Sequence, residues 1–342
     1  MSLEVGLKEV AFRAGVSPST ASNALSGARP VSEQTRKRVF AIAEELNYRP
    51  NLVARGLRRQ ETRTIALLVA DIANPYYPAV ARAIQDRIGA HGYVSFIGNT
   101  DGDPKAEVRV LEEMRARSVD GVIMSTMALS PERIRNVVGP TMPLVLITGE
   151  WVETPNPHVV RKLRADEVGT DDAMGIKEAV DHLRGRGVTD IGFISGPAGS
   201  VPGDGRLERF RDAMAEAGLS VNEAWIEQSA GYVLETGYDA ADRLLSRPSR
   251  PKAILCANDL IAIGVLEAAR DNKLDVPTEL SVIGFDDIPT AKHVSPRLTT
   301  IINPARLVGY ACADALMRRM EHPDAPFEHT ALATHLVARG SA

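Results

Sequence analysis

The side chains that could perform chemistry are spread along this chain without an arrangement typical of an enzyme. There is no Gly-x-Ser-x-Gly nucleophile elbow and no Walker phosphate loop, and the seven histidines are scattered. No His, Cys or Asp cluster has metal-site spacing, and the glycine-rich stretch from Gly192 to Gly205 does not fit a dinucleotide fingerprint. We therefore expect no catalytic residues, no metal and no cofactor, and interpret the chain as a binding protein.

The most informative local pattern lies in residues 7–25, where two short helices are predicted. The first has one apolar face and ends at Gly15, a residue that can leave a helix with positive φ. Ser17 is suited to cap the second helix, and Pro18 to occupy its first position, where a missing N–H costs nothing. The outer face of this second helix is small and polar: Pro18, Ser19, Ser22 and Asn23. The pattern favours a helix-turn-helix, whose second helix enters the DNA major groove, although an ordinary helical hairpin remains the alternative for these residues alone.

A third amphipathic helix is expected after Ser32, ending near Asn47, and the segments around it have a specific pattern. These segments are Ala-Gly-Val-Ser, Thr-Ala-Ser-Asn-Ala-Leu, Val-Ser-Glu-Gln-Thr-Arg and Leu-Asn-Tyr-Arg-Pro-Asn-Leu-Val-Ala-Arg-Gly-Leu, at residues 14–17, 20–25, 31–36 and 46–57. Together they resemble the DNA-binding head and hinge of LacI/GalR (lactose-repressor) regulators. The resemblance covers nearly the whole chain.

The resemblance implies three parts: a helix-turn-helix DNA-binding domain in residues 1–49, a hinge helix or linker in residues 50–62, and an effector-binding and dimerisation domain in residues 63–342. The hinge is short and basic and contains Gly56, so a helix there is marginal in water. We expect it to fold at the operator, with a plain tether as the alternative. The resemblance also implies that Leu57 wedges into the minor groove.

The body alternates between apolar runs and helical patterns, which indicates parallel sheets covered by helices. Ile65–Ala70 is a continuous apolar run of the kind found in strands buried on both faces. The alternation starts again near residue 175, so the predicted fold is a small all-α head plus an α/β body of two doubly wound parallel-sheet lobes. The resemblance makes these lobes the type I periplasmic-binding-protein kind, with lobe 1 at about residues 63–163 and 295–324 and lobe 2 at about residues 164–294 and 325–340.

The resemblance places an effector between the lobes, at the carboxyl ends of strands. Asn74-Pro-Tyr-Tyr77 matches the family element whose aromatic rings flank the ligand, and Arg206 matches the arginine that hydrogen-bonds it. Family members often have Asp-Arg where this chain has Thr148-Gly149, so an acidic acceptor of hydroxyl groups is absent there. A sugar or sugar derivative is the expected effector. The implied effector-binding residues are Tyr76, Tyr77, Asn99, Ser125, Thr148, Arg206, Tyr232, Asn258 and Asp286, with a structural salt bridge or helix cap as the alternative role for the polar ones.

In the head, the resemblance implies base readout by Pro18, Ser19, Asn23 and Arg29. Asn23 stands where relatives often have arginine, and an asparagine side chain pairs best with adenine whereas arginine prefers guanine. Phosphate contacts, which fix register without reading sequence, are expected from Ser17, Thr20, Ser22 and Asn51, and Arg58 is expected to add positive charge beside Leu57.

Charge is divided unevenly, since residues 1–62 carry ten Lys/Arg against six Asp/Glu while the whole chain has a formal net charge of −4. A basic head on an acidic body favours nucleic acid as a partner. Cys256 and Cys312 lie in apolar surroundings, which is typical of reduced core cysteines, and the sequence shows no signal peptide and no apolar run of membrane-spanning length. We therefore expect a cytoplasmic protein with no membrane partner.

The leading hypothesis is an effector-controlled transcriptional regulator, most simply a repressor, that binds double-stranded operator DNA as a homodimer. A solute-binding protein for a sugar-type ligand without a DNA role is the alternative that the body alone would allow. An enzyme that uses the cleft is a third hypothesis, against which the absence of a catalytic pair counts.

Overall fold

The computed structural model describes residues 6–27, 29–49, 61–148 and 164–342. The chain divides into two units, Met1–Thr62 and Arg63–Ala342. Residues 50–60, which make up most of the expected hinge, lie outside the described residues. No helix in the described ranges combines the length and apolar character needed to cross a membrane.

The first unit contains three helices, α1 (Leu7–Arg13), α2 (Pro18–Ser26) and α3 (Glu33–Glu45). The predicted cap of α2 is confirmed, because Ser17 Oγ accepts a hydrogen bond from the Thr20 amide at 3.1 Å. Gly15 has a φ of 61°, which lets the chain turn sharply between α1 and α2. Small apolar side chains fill the interior, so the helices approach closely: Val10, Ala11, Ala14, Ala21, Ala24, Val39 and Ala43.

The second unit alternates strands and helices as the apolar pattern predicts. Its elements are β1 (Thr64–Val69), α4 (Tyr76–Gly89), β2 (Val94–Asn99), α5 (Pro104–Ala116), β3 (Gly121–Ser125), α6 (Pro131–Val138), β4 (Leu144–Ile147), β5 (Asp166–Asp171), α7 (Asp172–Gly185), β6 (Ile191–Ser195), α8 (Val201–Glu216), β7 (Ile226–Gln228), α9 (Leu234–Leu245), β8 (Ala253–Cys256), α10 (Asp259–Asp271), β9 (Ser281–Asp286), β10 (Thr299–Ile302), α11 (Ala305–Glu321), β11 (His329–Ala333) and β12 (His335–Val337).

These strands form two sheets, with the orders β11-β5-β4-β3-β1-β2 and β12-β10-β9-β8-β6-β7. All neighbouring pairs are parallel except β10 with β12. Strands β1, β3 and β4 are buried along their whole length, as expected of strands covered by helices on both faces. The predicted fold class of a helix-turn-helix head with a two-lobed parallel-sheet body is therefore confirmed.

The expected lobe boundaries need three corrections. Strands β5 and β11 were both expected in lobe 2 but belong to the first sheet. There, β5 pairs with β4, and β11 pairs with β5. Strand β10, expected in lobe 1, pairs with β9 in the second sheet. Within the described residues, the chain therefore passes between sheets near Asp171, Asn303 and Thr334.

The physical reason for the first correction is that β5 is polar in sequence but buried in the fold. Asp166 is 1 % exposed, and its Oδ2 accepts a hydrogen bond at 2.8 Å from Nε of Arg319, a residue far away in the sequence. Pairing with Arg319 offsets part of the large desolvation cost that burying either charge alone would incur. Apolar periodicity cannot reveal such a strand.

Candidate functional site

The candidate effector site lies where the carboxyl ends of strands in the two lobes come together. Tyr232, from the second lobe, packs against the apolar core of the first lobe as well as its own. The Val201 amide at the start of α8 donates a hydrogen bond at 3.0 Å to the carbonyl of Met127, which follows β3 in the first lobe. The lobes are thus in direct contact at the rim of this cleft.

The Met127 carbonyl is held in place by a carboxylate on α5. Glu107 is fully buried, its Oε1 accepts from the Met127 amide at 2.8 Å, and its Oε2 accepts from the Leu129 amide at 3.2 Å. The hydroxyl of Thr126 also donates to Glu107 Oε2, at 3.1 Å. Because these donors satisfy the buried carboxylate, the loop after β3 has a fixed backbone.

Arg206 lies in α8 and is buried, with its guanidinium held from two sides. Its Nε donates to Asp172 Oδ2 at 2.9 Å, and Nη1 donates to the Ala257 carbonyl at 2.6 Å. The guanidinium carbon lies 3.6 Å from the centre of the Phe285 ring. Burial alone would lower the pKa of Arg206, but the carboxylates of Asp172 and Asp286 raise it, so the group stays charged.

Asp286 ends β9 and supplies a buried carboxyl group whose Oδ1 accepts a hydrogen bond from Asn303 Nδ2 at 3.0 Å. Burial raises the pKa of this carboxyl to about 6, although the charge of Arg206 and the hydrogen bond from Asn303 act in the opposite direction. The backbone of Asp286 has a φ of 116°, which is rare for a residue other than glycine.

Three tyrosines line the same region. The rings of Tyr76 and Tyr77 meet edge to face with their centres 5.3 Å apart, and Tyr77 Oη lies 3.2 Å from Ser125 Oγ. Tyr232 Oη lies 2.8 Å from Ser200 Oγ, and burial raises the pKa of Tyr232 to about 12. All three phenols therefore stay protonated near neutral pH and can act as hydrogen-bond donors or acceptors.

A glycine makes room for the Tyr232 ring. A Cβ placed on Gly196 would lie 2.2 Å from Cζ of Tyr232, far inside van der Waals contact. This dependence of an aromatic site residue on a distant glycine is visible only in three dimensions.

Other predicted site residues are brought to the cleft region with different roles. Asn258 is almost fully buried, but its Oδ1 caps α10 by accepting from the Ile261 amide at 2.9 Å, and its Nδ2 donates to the Tyr232 carbonyl at 3.1 Å. Asn99 is exposed, and its side chain is engaged by the Ile72 amide and by Asp101. The side-chain amides of Asn258 and Asn99 therefore already make structural hydrogen bonds, and the one made by Asn258 is a helix cap.

In the cleft region, Thr148 Oγ1 and Asn303 Oδ1 are buried polar atoms for which the described residues supply no hydrogen-bond partner. Unsatisfied buried polar atoms are rare in native proteins, and a bound polar ligand is one way to satisfy them. Asn303 was not predicted as a site residue. The signal that could have found it is its position directly after the β-branched segment Thr299–Ile302 that forms β10.

The head presents the predicted recognition helix with its polar face uncovered. Pro18, Ser19 and Arg29 are exposed, whereas Ser22 and Asn23 are half-buried. Ser17 and Thr20 hydrogen-bond each other through their hydroxyls at 2.9 Å, so part of their capacity is used in capping α2. The expected DNA contacts Asn51, Leu57 and Arg58 lie outside the described residues.

In the described part of the chain, no group of three His, Cys, Asp or Glu side chains could hold a metal.

Comparison with known proteins agrees with this division into head and body. Residues 6–51 match the family described as bacterial regulatory proteins, lacI family, and residues 180–342 match the periplasmic binding protein-like domain. The chain is 34% identical to the ribose operon repressor of Escherichia coli (strain K12), over 98% of this chain and 99% of that protein. It is 33% identical to the HTH-type transcriptional repressor PurR of Aliivibrio fischeri (strain MJ11), over 93% of this chain and 92% of that protein.

Two solved structures are similar over most of their length. A lac repressor dimer bound to operator and the anti-inducer ONPF has a TM-score of 0.87 and 25% identity, with 99% of each chain covered. A LacI family transcriptional regulator from Enterococcus faecium with bound ribose has a TM-score of 0.70 and 25% identity, covering 82% of this chain and 98% of that one.

Proposed function

Because this chain belongs to the lacI family of bacterial regulatory proteins, we propose that its effector is an uncharged polyhydroxy compound, most simply a sugar, bound between the two lobes. The chain is a DNA-binding transcriptional regulator and not an enzyme, and its relatives are repressors. We propose cytoplasmic action, because that is where operator DNA lies in a bacterium.

The observation that carries the effector proposal is the charge balance around Arg206. Its guanidinium already pairs with Asp172, and Asp286 adds a second carboxyl group to the same region. A phosphate or carboxylate on the effector would be repelled by these two acidic groups. Among the described cleft residues, no cation without an acidic partner is present to attract it. Hydroxyl groups suit the site better, since they can donate to Asp286 and accept from the remaining guanidinium N–H groups.

The aromatic side chains support the same class of ligand. Tyr76, Tyr77 and Tyr232 provide flat apolar surface for the C–H face of a sugar ring, with hydroxyls at their edges. Ser125, Thr148 and Asn303 add polar atoms, two of which are buried without a partner among the described residues. Relatives named for ribose, one of them with ribose bound, make D-ribose the first compound to test.

An effector in this position would touch both lobes, and that provides the regulatory link. Tyr77 and Ser125 belong to the first lobe, whereas Arg206 and Asp286 belong to the second. A ligand that binds one arrangement of the lobes more tightly shifts the population toward it, and DNA affinity then changes by the same coupling free energy.

For the DNA-binding role we propose that Pro18, Ser19, Asn23 and Arg29 read bases, while Ser17, Thr20, Ser22 and Asn51 grip phosphates and Leu57 and Arg58 act in the minor groove. Two heads are needed to read a palindromic operator. An exposed apolar edge supports dimerisation: on β2, at the end of the first sheet, Val94, Phe96 and Ile97 are 61%, 50% and 42% exposed.

The test uses the full-length protein to select binding sites from random double-stranded DNA. We expect a palindrome bound by two chains, with an affinity that changes when D-ribose is added. Asn23→Ala should relax the preference at one base pair of each half-site and cost about 1–3 kcal/mol. Gln34→Ala, an exposed substitution on α3, is the matched control and should change neither the base preference nor the DNA affinity. Selection of no palindrome, or an Asn23→Ala profile like that of the parent, would count against the DNA-binding assignment of these residues.

Calorimetry with D-ribose, ribose 5-phosphate and ribonate tests the effector class. Binding of D-ribose that is abolished by Arg206→Ala, with no binding of the two anions, is the expected result. A preference for either anion would contradict the charge argument and leave the DNA-binding assignment untouched.

A further inference from the structure

The turn that follows β9 holds two consecutive non-glycine residues in unusual backbone conformations. Asp286 has a φ of 116° and Asp287 a φ of 53°. Such conformations persist only where surrounding contacts determine them, and they tend to occur at functional sites. Since Asp286 is the proposed acceptor of effector hydroxyls, the contacts that hold this turn also fix the direction of its carboxyl group.

Asp259, the first residue of α10, makes the contacts on the inner side of this turn. It is fully buried, and its Oδ2 accepts a hydrogen bond from the Ile288 amide at 2.8 Å. Its Oδ1 accepts from Thr300 Oγ1 at 2.5 Å, and the same hydroxyl lies 3.4 Å from the Asp287 amide, which donates to it. The Asp259 carboxyl group thus contacts Ile288 directly and is linked to Asp287 through the Thr300 hydroxyl.

The Asp259 carboxyl group lies in the space that a side chain at Gly284 would occupy. A Cβ on Gly284, two residues before Asp286 in β9, would lie 2.1 Å from Asp259 Oδ1. On the outer side of the turn, Arg339 Nη2 donates to Asp287 Oδ1 at 2.5 Å. The turn is therefore held between the side chain of Asp259 within the lobe and that of Arg339 near the chain end.

We infer that Asp259 is a positioning residue for the effector site: it does not touch the effector, but it holds the turn at 286–288 so that the Asp286 carboxyl group points into the cleft. The inference rests on the proposed role of Asp286 in effector binding. A carboxyl group is costly here, because burial and the neighbouring Asp286 and Asp287 raise the pKa of Asp259 well above its ordinary value. An apolar residue would avoid that cost but could not accept the two hydrogen bonds.

Hydrogen exchange and D-ribose calorimetry on the full-length protein test this inference together. Asp259→Asn keeps the shape of the side chain, and Thr300→Val removes the hydroxyl that joins Asp259 to Asp287. For both variants, we expect amide exchange in the segment 285–290 to become at least about tenfold faster, while exchange in β8 stays unchanged. We also expect D-ribose affinity to fall by roughly tenfold or more, the size of effect seen when a hydrogen bond to a charged group is lost. Thr300→Ser retains the hydroxyl and should restore both properties.

Asp271→Asn, at the exposed far end of the same helix, is the matched control and should behave as the parent. Faster exchange throughout the second lobe would overturn the inference by making Asp259 a general stability residue. Faster exchange in 285–290 with unchanged D-ribose affinity would overturn it as well. If the parent protein binds no D-ribose, the proposed effector fails, whereas exchange in segment 285–290 that is unchanged by Asp259→Asn would still refute the positioning role.

Discussion

Replacing Asp286 by asparagine should stabilise the effector-free protein while removing its effector binding. The pKa of this buried carboxyl is raised from its ordinary 3.8 to about 6. The folded state therefore holds the proton more tightly than the unfolded state, and the carboxylate destabilises the fold once the pH exceeds both values. Each pKa unit corresponds to about 1.4 kcal/mol, so a difference of roughly two units costs about 3 kcal/mol at pH 8. Asparagine does not ionise and can still accept the hydrogen bond from Asn303.

The assay is equilibrium urea unfolding of the parent and Asp286→Asn proteins at fixed concentration between pH 8 and pH 4.5. The variant should be more stable by about 3 kcal/mol at pH 8, and this advantage should shrink to about 1 kcal/mol at pH 4.5, where the parent carboxyl is largely protonated. The exposed substitution Asp271→Asn should stay within about 0.5 kcal/mol of the parent. Equal stability at pH 8, or an advantage that does not depend on pH, would refute the reasoning.

Two further predictions concern effector binding. D-ribose affinity should be constant above about pH 7 and fall by up to about tenfold per pH unit below pH 6, because protonation removes the Asp286 carboxylate. Calorimetry at several pH values measures this dependence, and an affinity that does not change with pH would contradict the prediction. Gly196→Ala should weaken D-ribose binding by at least about tenfold, or 1.4 kcal/mol, since its Cβ would overlap the Tyr232 ring. Gly185→Ala, which meets open space, is the control, and equal affinities in the two variants would show that the ring is not displaced.

Features determined by local chemistry could be predicted from the sequence. Ser17 caps α2 and Gly15 makes the turn because both depend on residues within three or four positions along the chain. The fully buried strands were predictable in the same way, from continuous apolar runs. Strand β5 was not, because its buried Asp166 is satisfied by Arg319, a residue in α11 that no local pattern connects to it.

The same limit applies to the candidate site. Arg206 and Asp286 were identified through motifs, and the structure brings both into the cleft region beside Asp172. Asn303 was missed because its importance depends on a contact with Asp286 made where the chain crosses between lobes. Sequence also cannot decide whether the amide of Asn258 serves a ligand or a helix, since the same side chain is suited to both; here it caps α10.

The contact between the lobes at Val201 and Met127 joins two main-chain atoms, which bears on how such a protein can evolve. Any residue except proline at position 201 retains the donating N–H, and every residue at position 127 retains the accepting carbonyl. Side chains within the cleft can therefore be exchanged, one specificity for another, without deleting this bond between the lobes. Substitutions that alter ligand choice therefore need not alter this main-chain contact between the lobes, so a new effector can be acquired while the contact is retained.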